Sequence, residues 1–79
     1  MPPYTPADRD LLLKVYQIID QYAGPATGSD VQAAVQRGVV FLKGTVATAT
    51  QKQVLESRIT ALSEVVKLID DQLIAINDQ

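Results

Sequence analysis

The segment from Val31 to Val46 restricts what this chain can fold into more than any other stretch. Apolar side chains fall at every second position, first Val31, Ala33 and Val35, then Val40, Leu42 and Val46, with Gly38 and Gly44 interposed. A two-residue period is that of a strand whose two faces see different surroundings. Arg37-Gly38 interrupts the alternation and reads as a two-residue hairpin turn. Glycine accepts the positive φ such a turn needs, while arginine is a less usual partner than Asn or Asp. Gly44 lies within the second strand, where a glycine marks a bulge or the close approach of another element. A helix is the expected neighbour there.

Helical periodicity flanks the hairpin on both sides. Upstream, Leu11, Val15, Ile18 and Tyr22 form one row and Leu12, Tyr16, Ile19 and Ala23 an adjoining one, together a broad apolar face. Thr5 is the expected N-cap, Pro6 suits the first helical position, and Asp8 sits at the positive end of the helix dipole. Gly24-Pro25 ends this helix, and a small polar loop runs to about Asp30. Downstream, Thr48-Ala49-Thr50-Gln51 matches a capping box. A helix from Ala49 to about Leu62 is expected to bury Val54, Leu55, Ile59 and Leu62, with Ala61 beside them, and to leave Glu56, Ser57 and Thr60 outside. Val65 onward reads as a last strand ending near Ile76. Across Ile69-Asp70-Asp71-Gln72-Leu73 it is either one bent strand or an extended piece followed by a strand from Gln72.

The order is thus α, β, β, α, β. A strand-helix-strand unit closes right-handed and sets the third strand parallel to the second. The expected fold is an α+β two-layer sandwich, a small three-stranded mixed sheet packed on one face by two helices. A chain of 79 residues has room for one domain. It is expected over 6–76, after an extended lead over 1–5 and before a tail over 77–79.

The spacing Val31-x-Ala33-x-Val35-x-x-Gly38-x-Val40-x-Leu42-x-Gly44-x-Val46 resembles the central motif of the BON family, found in osmotically induced periplasmic proteins, haemolysin-type lipoproteins and secretin-associated proteins. The tail Val66-x-x-Ile69-x-Asp71-x-Leu73-x-Ala75 is similar to the family's closing strand, and the likeness covers roughly residues 8–76. Two positions depart from the pattern: Val65 stands where the family usually has glycine, and Asp71 where many members carry Asn. The resemblance implies a non-catalytic binding role, either association with phospholipid headgroups at the cell envelope or docking onto proteins. It brings no catalytic residue; Gly38 and Gly44, with Val40, Leu42 and Val46, are structural positions of the motif. Potassium or other ion binding through backbone carbonyls, known for some members, is a further implication.

Side-chain chemistry points away from catalysis. The chain has no histidine and no cysteine, so the usual general base and thiol nucleophile are missing. Ser29, Ser57 and Ser63 lack an activating base. The carboxylate pairs Asp8/Asp10 and Asp70/Asp71 read as solvated charge, and neighbours along a strand point to opposite faces. Asp70, Asp71 and Asp78 offer oxygen ligands but not the spacing of a calcium loop. No cofactor and no metal are expected. Gly24–Ser29 lacks the lysine of a phosphate-binding loop and precedes a strand. Seven basic against nine acidic residues, scattered, give a net charge of −2 and no basic stripe for nucleic acid.

If Val31, Ala33, Val35, Val40 and Leu42 face the helices, then Ala34, Val39 and Phe41 face away, and Leu68, Ile74 and Ile76 join them provided Ile69 and Leu73 point inward. A sheet covered on one side should be polar on the other. This face is apolar, and it is the expected interface for a protein partner or for homo-oligomerisation, unless Pro2-Pro3-Tyr4 folds across it or the patch is small enough to be tolerated. Arg37, Lys52 and Arg58 are the candidate lipid contacts. No segment approaches the roughly 20 apolar residues that span a bilayer. The expected location is cytoplasmic if Met1 is the native start, and the periplasm or cell envelope if the segment comes from an exported parent.

Overall fold

The computed structural model describes residues 6–77. They form α1 (Pro6–Ala23), a short 3-10 turn (Pro25–Thr27), β1 (Asp30–Gln36), β2 (Val39–Thr48), α2 (Ala49–Thr60) and β3 (Lys67–Asn77). The strands make one sheet in the order β1-β2-β3, with β2 antiparallel to β1 and parallel to β3. Both helices pack against this sheet and against each other. The α+β sandwich is therefore the one expected from the pattern. The lead over 1–5, with Thr5 and Pro2-Pro3-Tyr4, and Asp78 lie outside the described residues, while Asn77 closes β3 where a tail was expected.

One compact core fills the space between the layers. Leu11, Val15 and Ile19 of α1, Val35, Val40, Leu42 and Val46 of the hairpin, Leu55 and Ile59 of α2 and Leu73 of β3 are buried. Val31, Ala33, Val54 and Leu62 are half-buried, as positions at the margin of such a core should be. Two expectations for α2 fail. Ala61 is its exposed C-cap, because the helix ends at Thr60, and Glu56 is half-buried where a solvated position was expected.

The hairpin turn depends on residues distant in sequence. Gln36 pairs with Val39, leaving Arg37 and Gly38 as the turn with φ of 55° and 80°. Two positive φ values make this the turn whose twist matches the strands it joins. The Asp8 carboxylate, 5% exposed, accepts the Arg37 N–H at 2.8 Å and the Gly38 N–H at 2.9 Å. Val66 N–H donates to the Gly38 carbonyl at 2.8 Å, and a Cβ on Gly38 would lie 2.7 Å from Val66 Cγ2. Start of α1, tip of the hairpin and entry to β3 thus meet at one point.

Gly44 answers to a different neighbour than expected. Its φ is 115°, and a Cβ there would come within 2.0 Å of the Asp30 carbonyl oxygen. The close approach is made by the β1 backbone and not by a helix, because Gly44 pairs with Val31 just where β1 begins.

The capping box forms as read. Gln51 N–H donates to Thr48 Oγ1 and Thr48 N–H to Gln51 Oε1, both at 3.2 Å, satisfying two donors that the first turn of α2 leaves free. Gln51 Nε2 also donates to the Tyr22 carbonyl at 3.4 Å, tying the start of α2 to the end of α1.

β3 is one strand with a fault in its register. Ile69 lies opposite Phe41 and Gln72 opposite Lys43, so Asp70 and Asp71 together face Leu42. Two residues against one is a β-bulge, and it reverses which face each later residue sees. Leu68, opposite Val40, therefore packs on the core, as does Leu73 opposite Gly44. Leu68 does not share a face with Ile74 and Ile76. Ile69 takes its place beside Phe41.

Candidate binding surface

The face of the sheet away from the helices carries the most exposed apolar side chains of the sheet. Phe41 at its centre is 39% exposed, and Ile74 and Ile76 on β3 are 62% and 60% exposed. Ala34 is exposed and Val39 half-buried on the same face. A broad depression of about 820 Å³ runs over Gln32 and Ala34 of β1, Phe41 and Lys43 of β2, and Ile69, Asp71 and Gln72 of β3, with Tyr16 at its rim. An apolar row of Ala34, Phe41 and Ile69 lies beside a polar row of Gln32, Lys43 and Gln72. The alternation of each strand places these residues, and the bulge brings Ile69 and Asp71 to the depression while turning Asp70 toward the helices.

Tyr16 reaches the rim from α1 by way of the free edge of β1. Sequence periodicity put it in the apolar face of the helix; it is 41% exposed, and its hydroxyl both donates to the Ala33 carbonyl and accepts the Ala33 N–H, each at 3.1 Å. These groups point away from β2, since β1 is an edge strand and Ala33 lies opposite Leu42. Its outer edge is thus closed at its middle.

The three candidate lipid contacts do not converge. Arg37 sits in the hairpin turn beside Asp8, whereas Arg58 lies over the Tyr22 ring, 5.2 Å from its centroid. Asp8 and Tyr22 are ~21 Å apart along α1 at the rise of an α-helix. Lys52 is half-buried on α2, one turn before Glu56. An exposed basic patch is not formed by these residues.

The acidic pairs are not solvated charge throughout. Asp8 is buried and accepts both N–H groups of the hairpin turn. Asp70 is half-buried, its Oδ2 is enclosed without a hydrogen-bond partner, and its carboxyl lies within hydrogen-bonding reach of Glu56. That bond, then burial, then the negative charge of Asp70 raise Glu56 from 4.5 to about 7, against a smaller opposing pull from Lys52. The Asp-Asp step breaking an apolar alternation was the only sign of this arrangement in the sequence. Among the described residues no group of three or more His, Cys, Asp or Glu could hold a metal ion, and no helix is long and apolar enough to cross a membrane.

Fold and surface together define a small αββαβ sandwich with one sheet face left open. Compared with known proteins, the chain matches no family model and no curated sequence.

Proposed function

We propose that this chain is a non-catalytic self-association module, in which the open face of its sheet meets that of a second copy. The observation that carries the reading is the exposure of Phe41, Ile74 and Ile76 on a face that a one-sided sheet would ordinarily keep polar. Charge on that face is balanced: Lys43 and Lys67 stand against Asp30 and Asp71, so two copies meet without net repulsion. The resemblance of Val31–Val46 to the BON family supports a binding role of the same kind. Attachment to anionic lipid through Arg37, Lys52 and Arg58 has less in its favour, because a membrane surface rewards basic side chains that are gathered together.

Analytical ultracentrifugation over a concentration series tests the reading. The wild type is expected to exceed the monomer mass as concentration rises, and Phe41→Lys to remain monomeric while still folded. A wild type that stays monomeric at every concentration, or a Phe41→Lys variant that associates equally well, would overturn it.

A further inference from the structure

We infer that Glu56 of α2 and Asp70 of β3 form a proton-operated clamp, in which a proton shared by the two carboxyl groups holds the helix to the bulged strand and its loss loosens that seam. The clamp is independent of what the open sheet face binds.

Three features of the fold place it. The bulge turns Asp70 toward α2 while Asp71 faces the depression on the other side of the sheet. Glu56 follows buried Leu55 and precedes buried Ile59 by three residues, so the helix cannot swing it away from the seam without disturbing the core. Asp70 Oδ2 is, among the described residues, the one enclosed side-chain oxygen or nitrogen without a hydrogen-bond partner. Two ionised carboxylates offer only acceptors and repel one another, so a bond between these groups requires that one carry a proton.

The charged groups acting on Glu56 come from two elements. Asp70 of β3 favours the protonated form, and Lys52, one turn back on α2, favours the ionised form less strongly; α1 and β2 contribute none that acts on it. An ordinary Glu ionises near 4.5, whereas in the fold Glu56 keeps its proton to about 7. Folding therefore takes up a proton between those values. The contribution of the clamp is complete below about 4.5 and is lost as pH rises through about 7.

Carboxyl carbon NMR of the whole chain, titrated from acid to alkaline pH, tests the clamp together with backbone amide exchange. In the wild type Glu56 should titrate near 7, and in Asp70→Asn its midpoint should fall toward 4.5. Amides of α2 and of residues 69–73 should show an extra acceleration as the wild type passes its midpoint, beyond the intrinsic rise with base. Glu56→Gln, which keeps a neutral donor for Asp70, should lack that step. A wild-type Glu56 midpoint near 4.5, or the same acceleration in Glu56→Gln, overturns the clamp. If Asp70→Asn does not fold, the wild-type midpoint and the Glu56→Gln exchange decide the matter alone.

Discussion

The hydroxyl of Tyr16 meets both backbone polar groups of Ala33, donating to its carbonyl and accepting from its N–H, each at 3.1 Å. An edge strand ordinarily presents such groups as a template for another chain. One side chain of α1 occupies them here and fixes the helix to the outer margin of β1. Tyr16→Phe keeps the ring and removes the bonds. Because the site is open to water, the expected loss of stability stays within that of one ordinary hydrogen bond, about 0.5–1.5 kcal/mol by urea denaturation. Association through β1 should increase, visible as concentration-dependent light scattering.

Asp8 calls for a larger effect. Its carboxylate is buried and accepts two backbone N–H groups of the turn. Asp8→Ala leaves both donors of the turn without their partner, and a loss on the order of 2–4 kcal/mol is expected from bonds to a charged group. Asp10→Ala, an exposed neighbour, should change stability by less than about 0.5 kcal/mol in the same denaturation experiment.

Arg37 offers a gain. Its φ of 55° lies in the left-handed region that L-residues other than Asn and Asp rarely adopt, and its backbone N–H is already held by Asp8. Arg37→Asn suits that backbone better and should raise stability by roughly 0.5–1 kcal/mol. Thermal unfolding of the two proteins side by side checks this, and a lower midpoint for the variant would show that the guanidinium has a structural contact outweighing the strain.

Gly44→Ala should be among the most damaging single substitutions. The added methyl would lie 2.0 Å from the Asp30 carbonyl oxygen at a backbone φ of 115°, so strand separation and backbone strain combine. A loss of more than about 3 kcal/mol is expected, with the β1–β2 amides the first to lose protection from exchange. Retention of wild-type stability would mean that β1 shifts outward at little cost.

Much of this fold is legible in the order of its residues. Periods of two and of about four separate strands from helices, Thr48 and Gln51 announce α2, and Gly24-Pro25 closes α1. All of these are local signals, in which a residue and its partner lie within one turn or one strand pair. Asp8 and the hairpin turn, Tyr16 and the β1 edge, Glu56 and Asp70 are different. Each joins elements remote in sequence, and the chemistry of either partner alone fits an ordinary surface residue equally well. Phe41 on the open face was legible because alternation dictates it, whereas Leu68 and Ile69 were exchanged because an alternating pattern carries no information about a bulge downstream.

β3 is one residue longer than its ladder with β2 requires. Remove either member of the Asp70–Asp71 pair, and the positions of Leu68 and Leu73 become four apart, the separation at which a regular strand returns to the same face. The layers on both sides would keep their side chains. The sheet itself thus places no demand on the identity of the surplus residue, and what stands there is free to serve the helix above it.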